Sequence, residues 1–169
     1  MPKSLSALLV ALCAFALPAH ADETPPLQTT YSLADAPSLM TRAVDGAQAT
    51  LDEALELLGI RYRRGGASPE TGFDCSGFVR HVFNESVGLL LPHNAKAIAQ
   101  QGERVEKNEL QPGDLVFFNT MRRAFSHVGI YLGNGQFVHA PRSGARVRVE
   151  DMNEKYWTRR YNGARRLQN

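Results

Sequence analysis

Gly72-Phe73-Asp74-Cys75-Ser76-Gly77-Phe78-Val79 is the stretch on which the reading of this chain turns. Asp74 is a residue type that caps helices, because its carboxylate can accept from backbone N–H groups two and three positions on. Behind it Phe78, Val79, Val82, Phe83 and Val87 form one apolar stripe at helical spacing, with Arg80, His81, Asn84 and Glu85 opposite. The run therefore predicts a helix with Cys75 in its first turn. A thiolate, not a thiol, is the nucleophile. The positive end of a helix, with an imidazolium nearby, is expected to lower the Cys75 pKa below its free value of about 8.5. A small cysteine that merely fills a core is the other reading this position leaves open.

Upstream, residues 38–58 carry Leu51, Ala54, Leu55 and Leu58 at spacings of three and four, with Thr50 and Glu53 as a capping box and Gly59 as the stop. The segment from Arg61 to Gly72 is rich in Gly and Pro and predicts no regular element. Downstream, Asn94 opens a short helix running from Ala95 to Gln101 and ending at Gly102. The period then changes. Leu115 to Phe118 follows the Pro112-Gly113-Asp114 turn, and residues 128–132 join 137–140 through Gly133-Asn134-Gly135 as a hairpin. Val147 with Val149 marks a further strand and residues 161–167 a last one. Helices followed by an antiparallel sheet of five to six strands give an α+β domain.

His127 and His139 fall toward the open ends of the hairpin strands, where they can be neighbours. Rigid strands hold imidazoles well, so His127 is read as the base for Cys75 and His139 as the group that orients it. Surface histidines at strand ends are the plainer alternative. A metal site of Cys75, His127 and His139 would lack a second cysteine and any His-Glu-x-x-His, so no metal is expected. His81 lies on a polar face and is given no role.

The first 21 residues read as an export signal: Lys3, an apolar run from Leu5 to Leu17, then Pro18-Ala19-His20-Ala21. Lipid attachment at Cys13 is disfavoured by Leu12 before it, so an exported, soluble product is expected, with Cys75 its single thiol. Residues 22–37 read as a flexible lead-in and 38–169 as one domain. Losing Lys3 takes Lys plus Arg from 19 to 18 against 17 acidic residues, a balance that calls for no nucleic acid. The basic residues concentrated between Arg142 and Arg166 read as a solvated face or as a surface for an anionic polymer.

Tyr62-Arg63-Arg64-Gly65-Gly66 and the Cys75 segment resemble the nucleophile region of the NlpC/p60 cell-wall peptidases, a branch of the papain-like cysteine peptidases. Residues 110–118 and 126–140 match that family's strand motifs in order. Residues 152–166 are similar to the ending of Gram-negative murein endopeptidases, and the likeness extends from about Ala47 to Leu167. The resemblance implies a papain-like fold with helices packed on a central sheet. It also implies hydrolysis of amide bonds in peptidoglycan stem peptides or their crosslinks, by Cys75, His127 and His139, without a cofactor. Tyr62, Asp74 and Ser76 would bind substrate, and the setting would be a Gram-negative periplasm. The enzyme is expected as a monomer, with targeting left to the catalytic domain or an envelope adaptor protein. His93-Asn94, where many relatives carry a basic and then a hydroxyl residue, departs from the family pattern.

Overall fold

The computed structural model describes residues 39–120 and 123–167; the expectations for the export signal at 1–21, for Cys13 and for the lead-in at 22–37 lie outside them. Helix α1 (Leu39–Glu56) packs on α2 (Cys75–Val87). Thr50 sits inside α1, not at its start: its hydroxyl bonds the Gly46 carbonyl at 2.9 Å and meets Ser86 Oγ at 3.2 Å. The expected Thr50–Glu53 capping box is therefore not formed. The buried face of α1 is Thr50 and Ala54, continued by Leu57 just past its end, with Leu51 half-buried, while Leu55 and Leu58 are about two-fifths exposed (41% and 42%). The spacing of the leucines gave a helix but misplaced its face by about one residue. Neither α1 nor any other helix among the described residues is long and apolar enough to cross a membrane.

Helix α2 begins as its sequence dictates. Asp74 is extended (φ −89°, ψ 176°) and its carboxylate accepts from Gly77 N at 2.7 Å. Gly88, at φ 70°, ends the helix in the left-handed conformation that glycine adopts without a Cβ clash. Phe78, Val79, Val82 and Phe83 are buried as the stripe requires. Helix α3 (Ala95–Ile98), capped by Asn94 through Ala97 N at 3.1 Å, is shorter than expected. The Gly-rich approach to Cys75 contains a small hairpin that composition concealed. Strands β1 (Ala67–Ser68) and β2 (Gly72–Phe73) pair antiparallel, and the buried Phe73 ring anchors them.

The main sheet has six strands, β3 (Glu103–Val105), β4 (Leu115–Phe118), β5 (His127–Gly133), β6 (Gln136–His139), β7 (Arg148–Asp151) and β8 (Tyr161–Arg166). Their order is β3-β8-β4-β5-β6-β7 and every pairing is antiparallel. Both faces are covered, and alternation assigns each residue to one of them. Leu115, Phe117, Val128, Ile130 and Val138 join the core beneath the helices. Val116, Phe118 and Phe137 join Met152 and Trp157 in a second core on the far face. Trp157 is held there by α4 (Lys155–Thr158), a single turn without a side-chain cap. Strand β3 and helix α4 were not foreseen: each is too short to show a period, and β3 takes its extended form from pairing with β8.

Candidate active site

Helix α2 delivers Cys75 at its first residue, against the start of β5. The backbone N–H groups of Val128, Ser76 and Cys75 itself are aimed at the sulfur. Val128 is the neighbour of His127, and Cys75 and His127 line the same open cleft of about 1100 Å³, together with Tyr62, Asp74, Ser76 and His93. His127 belongs to the far face of the sheet. Its ring lies parallel to Trp157 (centroids 5.7 Å apart, 24° between planes), and its Nε2 meets His139 Nδ1 at 2.6 Å. Trp157 also stands edge-on to His139 at 5.1 Å, so one indole fixes the planes of both imidazoles. With Nε2 engaged, Nδ1 is the nitrogen of His127 left for the thiol.

The line of contacts continues past the expected residues. His139 Nε2 meets Glu150 Oε2 at 2.7 Å, and Arg148 donates to Glu150 Oε1 from Nε at 3.0 Å and Nη2 at 2.6 Å. Register explains the placement: His139 pairs with Arg148 and Phe137 with Glu150, so all four side chains stand on one face and Glu150 reaches His139 diagonally. Nothing in the sequence marks Glu150 or Arg148, because only the β6–β7 register puts them beside a histidine. Trp157, the single tryptophan of the chain, was the one signal available.

Asp74 is more fully committed than a cap alone. Its Oδ1 accepts from Gly77 N and Ser76 Oγ (3.0 Å) and meets His93 Nε2 at 3.0 Å, while Oδ2 accepts from Gly65 N at 2.9 Å. One carboxylate thus joins the loop before Cys75, the helix that carries it and the His93 segment. Ser76 is buried with its hydroxyl turned to Asp74, and Tyr62 is half-buried at the rim. His81 sits against the Phe73 ring and 3.7 Å from Glu53, between α1 and α2, away from the cleft.

The electrostatics correct one expectation. Burial pushes the Cys75 thiol up to about 11 and the negative Asp74 adds to it; the three N–H groups pull the other way without prevailing. Burial, then the neighbouring His139, holds His127 well below the ordinary imidazole range. Burial likewise lowers His139, against the pull of Glu150, while Glu150 stays below the usual carboxylate range because His139 and Arg148 outweigh its own burial. Both shifts favour a neutral thiol beside a neutral imidazole. The helix start does not by itself ionise the sulfur. Among the described residues no group of three His, Cys, Asp or Glu side chains is placed to hold a metal ion.

Residues 59–166 match the model of the NlpC/P60 family. The chain belongs to that family. Over 128 residues this NlpC/P60 protein is 44% identical to the murein DD-endopeptidase MepS/murein LD-carboxypeptidase of Escherichia coli, covering 76% of this chain and 66% of that one. Over 120 residues it is 41% identical to the murein DD-endopeptidase MepH of E. coli, covering 69% of this chain and 44% of the relative. A crystal structure of an NlpC/P60 protein from Bacillus cereus superposes with a TM-score of 0.66 at 34% identity, over 73% of this chain and 40% of that one. The chain thus spans between about two-fifths and two-thirds of the length of these relatives. The six-stranded sheet with its packed helices is the α+β architecture of the family.

Proposed function

We propose that this NlpC/P60 chain is a cysteine endopeptidase that hydrolyses amide bonds in peptidoglycan stem peptides or their crosslinks. The observation that carries this is the convergence of Cys75 and His127 on one cleft, with His139 2.6 Å behind His127. The Cys75 proton passes to His127 Nδ1 as the sulfur attacks the amide carbon. The backbone N–H of Cys75 at the start of α2 would turn to the oxyanion as it forms. The His127 imidazolium then protonates the leaving amine, and water activated by the neutral ring frees the acyl group. Because burial raises the Cys75 thiol and lowers His127, His127 acts as a general base during attack.

Asp74 and Ser76 are proposed to bind the acyl side of the substrate and Tyr62 to hold the substrate or oxyanion near Cys75, with Asp74 also holding the helix start. The DD-endopeptidase names of MepS and MepH favour the crosslink between stems as the bond cleaved. Residues 38–169 would be the catalytic domain, exported by residues 1–21 to act in the envelope. Digestion of purified muropeptides followed by mass analysis tests the reading: the protein yields new stem fragments and Cys75→Ala yields none. Fragments released equally by Cys75→Ala, or no hydrolysis by the folded parent, would overturn it.

A further inference from the structure

We propose that Glu150 is a positioning residue that sets the tautomer of His127 through His139, leaving His127 Nδ1 unprotonated toward the thiol. The inference deepens the peptidase reading and rests on it for the role of His127. It follows from the donors and acceptors along the chain of contacts, with His139 held neutral by burial. The Arg148 guanidinium can only donate, and it occupies Glu150 Oε1 with two N–H groups. The ionised carboxylate can only accept, so the proton at the 2.7 Å contact is on His139 Nε2. Burial keeps His139 neutral, which leaves its Nδ1 a lone pair. That lone pair must receive the His127 Nε2 proton across 2.6 Å, and a neutral His127 then has its free lone pair on Nδ1. When His127 takes the thiol proton, Nε2–H still donates to His139, and the carboxylate stabilises the new imidazolium without being protonated itself.

The arrangement makes an unusual prediction about an isosteric change. In Glu150→Gln the side-chain oxygen must face Arg148, so the amide NH2 is turned to His139 Nε2. His139 then carries its proton on Nδ1 and donates to His127 Nε2, and the His127 proton is forced onto Nδ1, where it faces the thiol. Glu150→Ala lets water stand in and imposes no tautomer. Glu150→Gln should therefore lower kcat on stem peptides by about 10²-fold or more, with little change in KM, and by more than Glu150→Ala does. Adding Arg148→Ala to Glu150→Gln frees the amide to turn over and should restore kcat to at least the level of Glu150→Ala.

Nitrogen-15 NMR of the histidines in the full-length Cys75→Ala protein at neutral pH reads the tautomer without depending on turnover. The expected spectrum has His127 protonated at Nε2, and the same protein with Glu150→Gln has it protonated at Nδ1. Protonation of His127 at Nδ1 with Glu150 intact, or an unchanged tautomer in Glu150→Gln, would overturn the inference, even in an active peptidase. A protein that shows the expected tautomers yet cleaves no muropeptide would instead overturn the peptidase reading.

Discussion

Cys75 and His127 line one cleft and are shifted in opposite directions, each toward its uncharged form. The thiol is pushed up to about 11 and the imidazole is held well below its ordinary 6.5, so the ground state is the uncharged pair. In the proposed mechanism, activity needs His127 neutral. Its acid limb must therefore fall where His127 protonates, with activity present above that folded-state pKa and lost as pH drops through it. A kcat/KM profile on a stem peptide should remain near its plateau at about pH 6, where an ordinary imidazole is mostly protonated. An acid limb centred at or above 6.5 would contradict the burial argument. The helix position of Cys75 was legible from Asp74 and the apolar stripe behind it. Its protonation was not, because the helix end, burial and the Asp74 charge compete, and only packing sets their balance.

At the scale of elements, α2 is held to the preceding loop by contact as close as backbone allows. A Cβ on Gly77 would overlap the Gly66 carbonyl oxygen and lie 2.9 Å from His93 Nε2. Alanine is favoured over glycine inside a helix by about 1 kcal/mol, but here the clash is with backbone that cannot rotate away. Gly77→Ala should thus destabilise the protein by roughly 1–3 kcal/mol and lower kcat by shifting Cys75 away from β5. Urea unfolding measures the first effect, and a midpoint equal to or above the parent's would refute it. Helix α2 could be read from its apolar stripe, and β4 to β6 from apolar runs bounded by the turns at residues 112–114 and 133–135. The β1–β2 hairpin, β3 and α4 could not, since none is an apolar run bounded by turn residues; β3 takes its conformation from pairing with the distant β8.

Across the whole molecule the basic run from Arg142 to Arg166 divides into different uses. Arg166 is a brace: its Nε and Nη2 bond Asp114 Oδ1 and Oδ2, both at 2.8 Å, and Asp114 is only 2% exposed. The pair ties the turn before β4 to the end of β8, its neighbour in the sheet. Arg166→Ala leaves a buried carboxylate without its cation and should cost roughly 2–4 kcal/mol, read as a lower Tm and urea midpoint. A loss under about 0.5 kcal/mol, the usual range for a surface change, would show the pair to be ornamental. Arg160 lies over the Tyr156 ring at 3.8 Å and Arg148 holds Glu150, so these members of the run have partners within the chain, while Arg142, Lys155 and Arg159 are exposed. By itself the sequence determined the α+β order, the helix start beneath Cys75 and the pair of strand histidines, because each is written in local spacing and capping chemistry. Only the tertiary structure decided the register that sets Glu150 against His139, the indole that clamps both imidazoles and the burial that keeps the thiol protonated. Those depend on side chains brought together by the sheet from separate segments, and no local pattern encodes which of them will meet.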